Sequence, residues 1–166
     1  NLDFNTPSLD FAPFIKDNTL YYTSTKNGNK SSLDEWTGEG YADIYSASKT
    51  STTKFSEATL LPEPFFTLYH DAELVLSKDG KTALFTRCGS DAKNVNEYCH
   101  IYRTVKNIDD SWSAPERIKL FADTINEGQA FLTPDEKELY FSSDNKDGYG
   151  GRDIYSAKKN IAGDFE

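Results

Sequence analysis

The side chains able to concentrate chemistry in this chain are few: two histidines, two cysteines and one Asn/Asp/Gly-rich loop. His70 stands before Asp71, at the start of an apolar run, and His100 stands before Ile101-Tyr102. His100 occupies the place that Asp43 and Asp153 hold before the other Ile-Tyr pairs, which reads as a structural slot, and the many serines include no Gly-x-Ser-x-Gly elbow. Gly148-Tyr149-Gly150-Gly151 lacks the strand-then-helix setting and the Lys-Ser/Thr of a phosphate-binding loop. The sequence therefore offers no catalytic residues and implies no cofactor.

Two further constellations carry chemistry. In Ser143-Asp144-Asn145-Lys146-Asp147-Gly148, the residues Asn145, Asp147 and Gly148 fall at the third, fifth and sixth places of a Ca²⁺ loop. Ser143 holds the first place and Ile154 the twelfth, where the bidentate Glu would be. The same residues also suit a Gly-rich turn with Asx-type self-bonding, which needs no ion. Cys88 and Cys99 lie 11 positions apart, which is not a customary metal-ligand spacing. They flank one hairpin loop. A disulfide there closes a short loop, worth ~2–3 kcal/mol, and places the protein outside the cytoplasm. The alternative is two thiols in a reducing compartment.

The elements that position these groups are written three times. The copies run from Pro13 to Lys49, from Leu74 to Lys106 and from Phe131 to Lys159. Each is an apolar strand, a Lys/Asp turn, an aromatic strand, a polar loop and a strand ending in Ile-Tyr. The landmarks are Ile44, Ile101 and Ile154, with steps of 57 and 53 residues. Lys78-Asp79-Gly80-Lys81 and Pro134-Asp135-Glu136-Lys137 are hairpin chemistry. Weaker fourth strands are expected over Phe55–Leu60 and Trp112–Ile118, with Pro115 marking an edge. Four antiparallel strands per unit describe the blade of a β-propeller. The competing architecture is a β-sandwich with chance similarity among its hairpins.

The predicted fold is all-β: a propeller segment of about three four-stranded blades over residues 8–60, 69–120 and 126–166, the last incomplete, in a larger ring. Three blades do not close a ring, and a chain without Met is expected to be part of a longer protein. The net charge of −9 and pI near 4.7 argue against nucleic acid or an anionic membrane as partner. No apolar run reaches spanning length.

Polar-aromatic loops leave the same strand position in each copy: Lys26–Tyr41, Ser90–Tyr98 and Asp144–Arg152. They are expected on one face of the ring, where binding concentrates on a rigid scaffold. Trp36, Tyr41, Tyr149 and Arg152 are the candidate binding residues. The alternative is that Trp36 and Tyr149 fold back on their own blades.

The wording LTPDEKELYFSSDNKDGYGGRDIYSAKK resembles the WD-like (TolB-type) β-propeller repeat, with its Asp-Gly-Lys turn, Gly-Tyr-Gly-Gly loop and Asp-Ile-Tyr. It is most similar to propellers in Bacteroidota envelope proteins of the OmpA family, some of them type IX secretion or gliding components. The resemblance covers essentially the whole chain. Asp135-Glu136 replaces the usual Asp-Gly, Asp17-Asn18 shortens the first turn, and the second copy lacks Gly-Tyr-Gly-Gly. The resemblance implies a non-enzymatic scaffold with protein partners in an envelope assembly, in the periplasm or at the outer membrane. Peptidoglycan would be met through a separate domain. The alternatives are an accessory propeller of a larger hydrolase or peptidase, and a glycan- or peptide-binding propeller.

Overall fold

The computed structural model describes residues 2–26, 38–89 and 98–166. Every regular element there is a strand, and the sheets are antiparallel. The first sheet has the order β1-β2-β3-β4: β1 (Asp10–Lys16), β2 (Thr19–Ser24), β3 (Asp43–Ser48) and β4 (Thr59–Leu60). The second repeats it with β5 (His70–Leu76), β6 (Thr82–Cys88), β7 (Cys99–Val105) and β8 (Glu116–Arg117). The third contains β9 (Glu127–Leu132), β10 (Glu138–Ser143) and β11 (Asp153–Lys158). The chain divides into two compact units, Asn1–Leu74 and Val75–Glu166.

Cross-strand registers coincide among the sheets. Thr23 faces Ile44, Thr86 faces Ile101, and Ser142 faces Ile154. The fourth element is shorter than the sequence suggests. Only two residues pair in β4 and β8, and the aromatics Phe55 and Trp112 each make a single bridge, to Lys49 and Lys106. Phe165 makes the same bridge to Lys159. Pro115 lies immediately before β8, where a missing N–H interrupts a ladder at little cost.

Turn chemistry sets the hairpins. Ser77 Oγ donates to Asp79 Oδ1 at 2.7 Å, and the same oxygen accepts from the Lys81 N–H. Thr133, Asp135 and Lys137 repeat that pattern. Gly80 sits at φ 70°, and Glu136 takes the left-handed place at φ 59° without glycine's freedom. Asp17 and Asn18 are both left-handed, as a tight two-residue turn requires.

The first strand of every repeat also carries a left-handed residue: Ala12, Glu73 and Gln129, at φ 50°, 61° and 54°. The register slips beside it, between Phe11 and Phe14 in one sheet and across Tyr140/Ser142 in the third. Such bulges turn a backbone N–H out of the ladder. The Glu73 N–H reaches Thr23 Oγ1 at 2.9 Å, and the Gln129 N–H reaches Thr86 Oγ1 at 3.3 Å. Glu73 and Gln129 thereby each pin a first strand to a threonine of the preceding sheet.

The core of the second unit lies between its sheets. Leu84, Ile101 and Ile118 meet Ala130, Leu139, Phe141 and Ala157, with Val75, Leu132 and Tyr155 packed around them. In the first unit, Leu20, Ile44, Ala47, Ala72 and Leu74 are buried. Successive side chains point to opposite faces, so the consecutive buried residues Ala83, Leu84 and Phe85 show that β6 is buried on both faces.

Candidate functional site

The polar loops spring from strand ends built on a repeated aromatic pair. Tyr22 stacks on Tyr45, Phe85 on Tyr102 and Phe141 on Tyr155, with centroids 5.8, 6.0 and 5.9 Å apart. These are the cross-strand partners dictated by register, at offset-stacking distances. A third ring joins two of them: Phe4 on Tyr22 at 5.0 Å, and Phe121 on Tyr155 at 5.2 Å. Cations cap two pairs, with Lys26 Nζ 3.9 Å from the Tyr45 centroid and the Arg87 guanidinium 5.1 Å from that of Phe85.

The tyrosine of Ile-Tyr also anchors its loop. Tyr45 Oη donates to the Lys26 carbonyl and Tyr155 Oη to the Asn145 carbonyl, both at 3.3 Å. Burial, with Asp10 next, pushes the Tyr22 phenol up to about 12. Burial, followed by Asp43 and Asp10, does the same to Tyr45. Both raised values favour the neutral phenol in the folded state. Their stabilisation is therefore complete below the unfolded value of about 10 and is lost as pH rises toward 12. A phenolate absorbance titration should show these two tyrosines ionising late, together with loss of structure; ten equivalent tyrosines titrating near 10 would contradict this.

The loop bases are closed by different chemistry at one structural slot. In the first repeat, Thr25 accepts from the Leu9 N–H and donates to the Glu39 carboxylate. In the second, the slot holds Cys88, disulfide-bonded to its cross-strand partner Cys99. In the third, Asp144 takes the Asn126 backbone N–H at 2.8 Å and its side-chain amide at 2.6 Å. Replacing both cysteines by serine should lower stability by ~2–3 kcal/mol, measured by chemical unfolding. An unchanged midpoint would show that the crosslink constrains little.

Of the expected binding residues, Trp36 lies outside the described residues, as does most of the first loop. Residues 90–97 of the second loop lie outside them too. Tyr41 is half-buried, its ring edge-on to His70 at 4.7 Å. Tyr149 is fully exposed, and Arg152 is exposed while Nη1 donates to Ser142 Oγ at 3.1 Å. The backbone beneath Tyr149 is held firmly. Asp153 Oδ2 accepts from the N–H groups of Tyr149 and Gly150 at 2.8 and 2.9 Å. Gly148 passes so close that an added Cβ would collide with that oxygen and stand 2.7 Å from Tyr155 Oη. Glycine is needed there for close approach.

Asn145 and Asp147 form a turn. Asn145 Oδ1 accepts from the Asp147 N–H at 3.3 Å, and the Gly148 N–H bonds the Asn145 carbonyl at 3.1 Å. Among the described residues, no three His, Cys, Asp or Glu side chains gather as a metal set.

Both histidines sit where one repeat meets the next. His70 Nδ1 accepts from the Ala42 N–H at 3.0 Å. In the following repeat Asn126 Oδ1 accepts from the Cys99 N–H at 2.8 Å. Two different side chains thus make the same latch, so His70→Asn should keep stability within ~0.5 kcal/mol, whereas His70→Leu should cost about 1–3 kcal/mol by orphaning a donor. Equal unfolding midpoints for the two variants would refute the latch.

His100 is buried with Nδ1 3.5 Å from Glu127 Oε2. Glu127, absent from the residues singled out in the sequence, is completely buried. Its Oε1 accepts from the Phe121 N–H at 2.7 Å and lies 3.7 Å from Arg117 Nη2. A signal for it exists: Asp10, Asp71 and Glu127 each precede the left-handed residue of a first strand by two positions.

Fold and site together define an all-β protein of repeated antiparallel sheets, with interlocking polar contacts and rigidly based loops. No helix of the described residues is long and apolar enough to cross a membrane. No protein-family model matches the chain, and neither does any curated protein.

Proposed function

We propose that the chain is a non-enzymatic scaffold and protein-interaction segment of a β-propeller, belonging to a bacterial envelope protein in the periplasm or at the outer membrane. The observation that carries the interaction role is Tyr149, fully exposed on a loop whose backbone is fixed by Asp153 and Gly148. A rigid base with an exposed aromatic tip and a neighbouring Arg152 suits a protein-binding hot spot, because little ordering entropy is lost on docking. The disulfide supports an oxidising compartment. The repeat wording, which resembles that of OmpA-family envelope propellers, supports the envelope setting and leaves type IX secretion as the expected context.

The test is affinity purification of the full-length protein from envelope fractions, beside Tyr149→Ala and Arg152→Ala. A partner recovered at least tenfold less with the variants supports the reading. Identical recoveries, or turnover of ester or peptide substrates by the protein, would sink it.

A further inference from the structure

The three Ile-Tyr isoleucines occupy one register position but not one environment. Ile44 and Ile101 are 0% exposed, whereas Ile154 is 74% exposed. The difference extends over the sheet face. Direct cross-strand pairing places Ser142 with Ile154 and Tyr140 with Phe131 on one face of the third sheet. Phe131 is 57% exposed and Tyr140 39%. Their counterparts in the second sheet are Val75 and Leu84, which lie in the core with Ile101. In that core, the opposite face of the third sheet, with Ala130, Leu139, Phe141 and Ala157, covers the second.

In the second unit, what covers the slot at Ile101 is visible. It is the next repeat, led by a strand with a fixed set of contacts. The strand begins with a side-chain acceptor, His70 or Asn126, that takes the N–H of Ala42 or Cys99. An acid follows, and then the left-handed residue whose N–H seeks Thr23 or Thr86 Oγ1. The third sheet offers the matching receptors: Ser142 in the threonine slot and Arg152 in the slot of Ala42 and Cys99.

We infer that the Phe131–Tyr140–Ile154 face is the docking surface for one more sheet of this same repeat, entering as the third sheet enters on the second. This rests on the repeat reading but not on the Tyr149 loop. Failure here leaves the partner-binding test standing, and the converse also holds. Contiguous exposed apolar residues on one sheet face are a recognition surface in a soluble protein, and here the interface they would continue is already present.

The experiment compares one substitution in two contexts. Bridge positions Trp112 and Phe165 are equivalent, so a copy of residues 114–166 appended after Glu166 continues the repeat in register. Ile154→Asp is then measured in the chain itself and in the extended chain. In the chain it should shift the unfolding midpoint by less than about 2 °C, because the side chain is already in water. In the extended chain the shift should exceed about 6 °C, and Ile154 should become protected from covalent footprinting in the unsubstituted form. Equal small shifts with no protection would overturn the inference. So would sedimentation showing that the unextended chain forms a dimer, abolished by Ile154→Asp and unaffected by the extension. That outcome would assign the face to a second copy.

Discussion

Replacing Ile101 by Ala should cost about 3 kcal/mol and lower the unfolding midpoint by roughly 6–12 °C. Ile101 is completely buried, packed among Leu84, Ile118, Ala130, Leu139 and Phe141. Three carbons removed from such a site leave a void that neighbouring strands cannot close, since each is held by its own ladder and by the Gln129–Thr86 bond. The internal control is the identical change at Ile154, three-quarters exposed, where less than ~0.5 kcal/mol is expected. Thermal and chemical unfolding of the two variants check this directly. A cost below ~1 kcal/mol at Ile101, or equal costs at both, would show that the core does not bridge the second and third sheets.

Glu127→Ala should be as damaging, with about 3–5 kcal/mol lost. The carboxylate lies fully buried between the Phe121 N–H, Arg117 and His100. Its removal strips the acceptor from that N–H and leaves the Arg117 guanidinium, with a side chain only 14% exposed, facing a hole. Arg117 keeps Asp123 and the Phe121 carbonyl, which limits the damage. Glu127→Gln preserves the acceptor but not the charge, and should lose roughly 1–3 kcal/mol. Chemical denaturation of the two variants, read with the His100 imidazole resonances, separates these contributions. If Ala and Gln cost the same, the backbone bond to Phe121 carries none of the effect. If neither costs more than ~0.5 kcal/mol, the buried cluster is dispensable.

The repeat made much of this arrangement legible. Asp-Gly turns, aromatic strands and Ile-Tyr landmarks are local signals, and the strands form where they stand. That Cys88 and Cys99 flank one hairpin loop was legible too, while the choice between a disulfide and two thiols was settled by the register that sets them opposite each other. Glu127 was less legible. A lone acid before a strand resembles any solvated carboxylate, and its burial depends on Phe121, Arg117 and His100 from three other places in the chain. Tyr41 carried the opposite difficulty: an aromatic in a polar loop reads as exposed, and only the nearness of His70 turns it inward.

By itself, then, the sequence determined that the protein is all-β, with antiparallel hairpins repeated in a common register and two cysteines flanking one hairpin loop. Those features follow from periodicity and turn chemistry acting over a few residues. Tertiary structure alone decided which copy of a repeated residue is buried and which stands in water. Ile44, Ile101 and Ile154 share a position in the wording, yet two of them are buried, Ile101 beneath the third sheet, while the third is not. Burial is set by what packs on a face, and that depends on neighbours distant in sequence rather than on the residue or its strand. The same physics makes Glu127 part of the interior and leaves Tyr149 in water.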